Sequence, residues 1–389
     1  MSMKRKLEED MTVLPEDVRV EKKQAICPNS LEDSGVNTAH MPTTALASLL
    51  DLSALTTRED ISSRFGAIAH ELLCNYVLTI VRNGVYSNCE ILEVEFYLQK
   101  SGCHEDPFTH GSFEQEKSGQ WYFHRTPCRA DGTSSGLQVR AAGGYRGGTR
   151  KGLDLTLGPS SFNTERSRIV TIRGGALFRT LRRYPEQKII CGPSLLVDEV
   201  LRASGVSSIS DLVTDVWNND IKALGAPAHL RSTYMYLRPR GKSPVPPSKT
   251  LQIVYNSPRI GLDLSSPETK VSLEHPRVVF VGAPYRYFTH PELLSTKGRL
   301  QTFCGLYMAL RESNQYSHDS AKLKQELCRL MGLKEASVAK LLSDFRAGYE
   351  TGMLKSFVGV AGKGVCRSSA AYLKMIGTLQ RAKEQASAS

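Results

Sequence analysis

Apolar positions first fall into a repeat at about Thr44. Ala45, Leu46, Leu49 and Leu50 have helical spacing, and after Thr57 the residues Ile61, Phe65, Ile68, Leu72 and Val77 recur near every 3.6 positions. Asn83-Gly84 supplies a stop, so the spacing predicts a helical pair over residues 44–85. The period then changes to two. In Cys89-Glu90-Ile91-Leu92-Glu93-Val94-Glu95-Phe96-Tyr97 apolar and polar residues alternate, as they do in a strand. Side chains on a strand alternate between faces, which places Leu92, Val94 and Phe96 toward a core and Glu93, Glu95 and Tyr97 on the opposite face. Further strands are predicted at Gly119–His124, Gly152–Leu157, Arg168–Arg179, Ser232–Leu237, Leu251–Tyr255 and Arg277–Val281. Short helices fit at Ser194–Ala203 and Ile209–Asn218, and the Pro-rich run Ser243–Ser248 reads as a turn. Beyond Pro291 the alternation stops, and helices are predicted at Ala321–Leu330, Ala336–Gly348 and Ser368–Lys383.

This order implies an α+β fold with a mostly antiparallel sheet over residues 86–293 and a helical C-terminal extension over 294–389. Residues 1–43 hold no aromatic side chain and mix charges with Pro, Ser and Asn, so a flexible arm is expected there. No apolar run reaches the ~18 residues that a membrane span requires, so no membrane partner is expected. The first ten residues have no apolar stretch after their basic ones, which argues against a secretory signal. The nine cysteines include no C-x-x-C pair, the usage of a reduced compartment: cytoplasm or nucleus. Lys4-Arg5-Lys6 is a short tract of the kind an import receptor reads, and it tilts the expectation to the nucleus.

Charge sharpens the picture. Fifty Lys and Arg against 39 Asp and Glu leave a net +11, and between Arg125 and Arg183 twelve basic residues face only Asp131, Asp154 and Glu165. Clustered cations suit a phosphate-backbone partner, because neutralising each phosphate releases counterions. The plain alternative is a chain that is merely basic, since net charge speaks to association and not to fold.

The candidate chemistry lies beside that stretch. Glu93, Glu95 and Tyr97 make a poor core but an ordinary solvated face; in a cleft, a partly desolvated carboxylate there serves as a general base. His104, Glu105, Asp106, His110, Trp121, Tyr122 and His124 follow within thirty residues, and then the basic, glycine-rich Gly143-Gly144-Tyr145-Arg146-Gly147-Gly148-Thr149-Arg150-Lys151. Glycine permits close approach of backbone to a phosphate or a ring. His104-x-Asp106 also has the spacing of two ligands of a non-haem iron site, with His229 or His275 needed as the third.

Five segments, in order, resemble the alkyladenine (3-methyladenine) DNA glycosylases: Glu93–Tyr97, Gly174–Leu181, Cys191–Leu195, Ser257–Gly261 and Pro284–Phe288. The resemblance implies a curved antiparallel sheet, a DNA groove and hydrolysis of an N-glycosidic bond by a monomer acting on damaged or modified duplex DNA, with no cofactor and no metal. On that resemblance Glu95 matches the general base, Arg179 the arginine that helps hold the water, and Tyr97 the ring that stacks on a flipped base. His110, with His104 as alternative, matches the family's histidine, and Trp121 and Tyr122 stand in its aromatic strand. Asp154 is the nearest counterpart of an Asn that gates the pocket. Tyr145 is the counterpart of its wedge, with Arg146, Arg150 and Lys151 expected on phosphates. About twenty extra residues, Thr126–Tyr145, interrupt the family pattern, and the tail has no counterpart in it. Two other functions compete: a nucleic-acid-binding protein on the same scaffold without turnover, and an iron dioxygenase using His104 and Asp106.

Overall fold

The computed structural model describes residues 43–109, 112–126, 143–160, 172–226, 231–242, 252–313 and 320–388. The expected arm lies outside them. In chain order the helices and strands are α1 (Thr43–Leu50), α2 (Arg58–His70), β1 (Tyr76–Arg82), β2 (Val85–Lys100), β3 (His104–Glu105), β4 (Trp121–Phe123), β5 (Leu153–Leu157), β6 (Ile172–Tyr184), β7 (Lys188–Cys191), α3 (Pro193–Ser204), β8 (Thr233–Pro239), β9 (Tyr255–Ser257), α4 (Pro276–Val281), β10 (Arg286–Phe288), α5 (Arg299–Glu312), α6 (Ala321–Met331), α7 (Glu335–Thr351) and α8 (Ser369–Ala388). The fold is α+β, built on an open antiparallel sheet ordered β4-β5-β6-β2-β1-β8, with β10 joining β2 to β9.

The sixteen-residue β2 organises the molecule. Its first half pairs with β1, its second half with β10, and its other edge runs along β6. Pairing with β6 shifts register twice, leaving Leu92 on β2 and Arg179 on β6 each without a partner in the ladder. A bulge of this kind changes which side chains share a face. Cys89 and Ile91 before the shift and Val94, Phe96 and Leu98 after it all enter one core. Glu90, Glu93, Glu95 and Tyr97 therefore occupy the opposite face together, and Leu92 is the bulge residue, not part of the alternation expected from sequence.

That core is closed by α2 and α3, whose Phe65, Leu196, Val197 and Val200 are buried in it. A second core, formed by α5 to α8 with Phe288 and Leu264, packs against β10. In α6 and α7, Leu327, Val338, Leu342 and Phe345 are buried there, so the two helices pack as an ordinary hairpin.

Three elements differ from expectation. Among the described residues of the expected strand Leu251–Tyr255, only Tyr255 belongs to a strand, β9, which runs on to Ser257. The helical spacing in the sequence continues through Val77, but α2 ends at His70 and a π turn, Glu71–Asn75, leads into β1. Residues 44–85 thus hold the two helices α1 and α2 followed by a strand, not helix throughout. β1 lies between β2 and β8 and is buried on both faces, so its run Tyr76-Val77-Leu78-Thr79-Ile80-Val81 shows no alternation to betray a strand. The expected strand Arg277–Val281 is the helix α4: Pro276 occupies its first turn and the His275 ring accepts from the Arg277 N–H at 3.3 Å.

Candidate active site

The register shift creates the first half of the site. Freed from the ladder, Arg179 gives its carbonyl to the Gly192 N–H at 2.7 Å. Its guanidinium turns onto the acidic face of β2. Nη1 donates to Glu95 Oε2 at 2.9 Å, and Nε lies 3.3 Å from Glu93 Oε1. Burial opposes the charge on Arg179, but Glu95 and Glu93 outweigh it and hold the guanidinium more firmly protonated than usual. Glu95 Oε1 accepts the Ile260 N–H at 2.7 Å, which brings the Ser257–Gly261 segment onto the same carboxylate.

Glu93, 3% exposed, is the structural partner of the pair. Arg286 Nε donates to it at 2.6 Å, and the Thr180 hydroxyl also donates. Arg286 is itself fully buried and reaches Ser257 Oγ at 3.0 Å and Thr302 Oγ1 of α5 at 3.1 Å. Burial pushes the Glu93 carboxyl up, but Arg286 and Arg179 more than offset this and hold it below its ordinary range. The two carboxylates therefore differ. Glu93 is locked among buried cations, whereas Glu95 has one guanidinium and one backbone N–H for about four lone-pair positions, leaving room to accept from a water.

The second half lies across β6. Tyr97 pairs with Gly175, whose missing side chain leaves a path to β5: a Cβ there would stand 3.0 Å from the phenol oxygen and 3.1 Å from Asp154 Cβ. Through this gap the Tyr97 hydroxyl donates to Asp154, while Gln115 Nε2 donates to the Tyr97 oxygen at 2.7 Å. His124 Nε2 lies 3.0 Å from Asp154 Oδ2, and its ring occupies the space a side chain on Gly152 would need, with Cε1 only 2.5 Å from such a Cβ. Burial, then the Asp154 charge, raises the Tyr97 phenol well above its usual value and lifts Tyr122 to about 12. Both tyrosines are neutral donors at any physiological pH.

The structure thus gathers Glu95, Arg179, Tyr97, Tyr122 and Asp154 onto one sheet face, and adds Glu93, Gln115, His124 and Arg286. Alternation in Tyr122-Phe123-His124 was the available signal for His124. Arg286 lies in the Pro284–Phe288 segment of the resemblance, which gave it no role, and nothing in the sequence marks Gln115.

Other expected site residues lie elsewhere. His104 is fully buried on the opposite face, packed edge-on to Phe65, with Nδ1 2.9 Å from the Leu98 carbonyl and Nε2 3.0 Å from the Tyr285 hydroxyl. Burial pulls its pKa down, as expected of a core histidine. Asp106 is engaged by Arg259 at 2.8 Å and by the Phe108 N–H. Neither member of the His104-x-Asp106 pair is presented to a metal, which removes the geometric basis of the iron reading. Trp121 also belongs to the core, where its Nε1 donates to the Met235 carbonyl at 3.0 Å. His110 is outside the described residues.

In the basic loop, Tyr145 is stacked under Arg125, whose Cζ lies 3.9 Å from the ring centroid, so it is not a free wedge. Lys151 is paired with Asp198, and Arg146 Nε donates to the Arg125 carbonyl at 2.8 Å. Arg150 is the exposed cation of the set. A cavity of about 430 Å³ lined by Arg58, Ser62, Tyr285 and Lys383 touches none of the residues gathered around Glu95.

No protein-family model matches the chain. It is 29% identical over 191 residues to the uncharacterized protein L759 of Acanthamoeba polyphaga mimivirus, a match covering 47% of this chain and 72% of that protein.

Proposed function

We propose that this chain hydrolyses the N-glycosidic bond of a modified, alkylated purine extruded from DNA, with Glu95 activating the attacking water. The observation that supports this reading is convergence. Arg179, Ile260 and Asp154 lie far from β2 in sequence, yet Arg179 and Ile260 meet on Glu95 and Asp154 meets Tyr97, on one face of the same strand. These are the positions that the glycosylase resemblance picks out.

The chemistry follows from that arrangement. A base stacked inside a duplex shields its sugar carbon, so the nucleotide must be turned out into a protein pocket. Cleavage passes through an oxocarbenium-like state, and a carboxylate at the sugar both accepts the proton of the attacking water and balances the growing positive charge. Arg179 holds Glu95 in one orientation. An N-alkylated purine is already cationic and leaves without an acid, which suits a site whose tyrosines stay protonated.

A second reading, a nucleic-acid-binding scaffold without turnover, is favoured by one observation: Tyr97 is only 5% exposed and its hydroxyl is committed to Asp154. Incubation with N-methylated duplex DNA and chromatography of the freed bases separates the two. Release of N3- or N7-methylpurine is expected; binding without release supports the second reading.

A further inference from the structure

We infer that the β8-β1-β2 end of the sheet is a stacking surface for single-stranded nucleic acid, carried by Tyr86 and Tyr234. Val81 of β1 pairs with Tyr86 on one side and with Tyr234 on the other, so the two phenol rings flank it at one level of the sheet. Both lie on the face that carries Glu90, Glu93 and Glu95, because Ile80 next to Val81 and Met235 next to Tyr234 point into the core. Val81 is 3% exposed between them, whereas Tyr86 is 51% exposed. Tyr236, two residues beyond Tyr234, lies with its ring centroid 5.7 Å from that of Tyr234 and interplanar angle 31°, and forms the buried end of the row.

Cations follow the rings. One further level along, Val77 pairs with Glu90 and with Arg238, and Arg238 has no carboxylate partner among the described residues. Glu90 in turn is shared by Arg182 at 2.5 Å and Arg240 at 3.0 Å. Three guanidinium groups thus stand against one carboxylate on this part of the face.

An exposed ring, Tyr86, beside a half-buried one, Tyr234, with Arg238 further along the same face, fits a strand whose bases are splayed and whose phosphates are close by. A duplex hides the base faces that such rings would stack on, so the partner is a single strand. An isolated exposed tyrosine at a hairpin tip is unremarkable; the alignment of two rings across three strands, with Arg238 two levels along the same face, suits a ligand of mixed aromatic and anionic character. This goes beyond the proposed base excision and does not depend on it.

The test is fluorescence anisotropy of the full chain with a labelled, undamaged oligothymidylate of about twelve nucleotides, a length within single-strand site sizes. Tyr86→Leu and Tyr234→Leu should each weaken binding about five-fold to a hundred-fold, while Tyr86→Phe and Tyr234→Phe keep it, since stacking needs the ring and not the hydroxyl. The inference is overturned if the wild-type chain does not bind, if the Leu variants bind as wild type, if Phe and Leu variants lose equally, or if duplex of the same length competes equally. The assay reads binding to undamaged strand alone, so its failure is distinct from a failure to release bases.

Discussion

Tyr97 and Asp154 stand on strands separated by β6, yet the phenol donates directly to the carboxylate because Gly175, on the strand between them, has no side chain. Gly175→Ala should force the two apart and cost about 1–3 kcal/mol. Tyr97→Phe leaves Gln115 and Asp154 each short of a buried partner, for a loss of about 1–3 kcal/mol. Because both changes break one contact, urea denaturation of the double variant should show less than the sum of the single losses. Strict additivity would mean that the glycine serves some other purpose.

Glu93 makes stability depend on acid. Its carboxyl is held below the ordinary value of 4.5 in the folded chain, so the unfolded chain takes up the proton first as pH falls. The stabilisation is complete above about pH 4.5 and is lost as pH drops through the lower, folded value. Glu93→Gln should flatten this part of the stability profile in pH-dependent denaturation. An unchanged slope would show that Glu93 gains nothing from Arg286 and Arg179.

Arg286 and Arg150 should behave in opposite ways. Arg286→Ala removes the closer of the two guanidinium groups on the buried Glu93 and should cost about 3 kcal/mol. Arg150→Ala, at an exposed position, should change stability by no more than about 0.5 kcal/mol. In DNA binding the order reverses: Arg150→Ala should lower the salt slope by about 1. Lys151→Ala should lower it less, since Asp198 already neutralises that ammonium. Equal slopes for wild type and Arg150→Ala would remove this loop from the phosphate contacts.

Asp154 carries a charge where the glycosylase resemblance has a neutral amide, and a carboxylate favours a cationic base over one presenting acceptors. Excision of N3- or N7-alkylated purines should exceed excision of deaminated ones, and Asp154→Asn should narrow the ratio. A ratio left unchanged would confine Asp154 to anchoring Tyr97 and His124.

Much of this was readable in the sequence, and for identifiable reasons. Alternation in β2 placed Glu93, Glu95 and Tyr97 on one face: although both faces of the strand are covered, one is lined by polar residues and the other by apolar ones, so the period of two stays visible. β1 was unreadable because it is buried on both sides and has no polar face to alternate. The local excess of cations between Arg125 and Arg183 misled: Arg125 is paired with Glu114, Arg173 with Glu116, Arg182 with Glu90 and Arg183 with Glu199. Three of these four acids lie outside the segment whose charge was counted over 125–183 on the N-terminal side, and the fourth beyond its end. A balance taken along the chain cannot see partners that the sheet brings from elsewhere. His104 was a candidate by its spacing to Asp106 and as the alternative match to the family's histidine, and only its two hydrogen bonds and aromatic neighbours reveal a core residue. Arg179 was legible as a motif, but its turn toward Glu95 depends on a register shift that no local pattern encodes.

Glu95 is the proposed base. The measurement is release of N-methylated purines from duplex DNA by wild type, Glu95→Gln and Glu93→Gln, each normalised to folded protein. Glu95→Gln should retain the fold and DNA binding, with the rate of release lower by about 10²–10⁴. Glu93→Gln, altering a carboxylate enclosed by Arg286, Arg179 and Thr180, should lose stability but far less rate per folded molecule. Release by Glu95→Gln at the wild-type rate, or no release by the wild-type chain, would contradict the account.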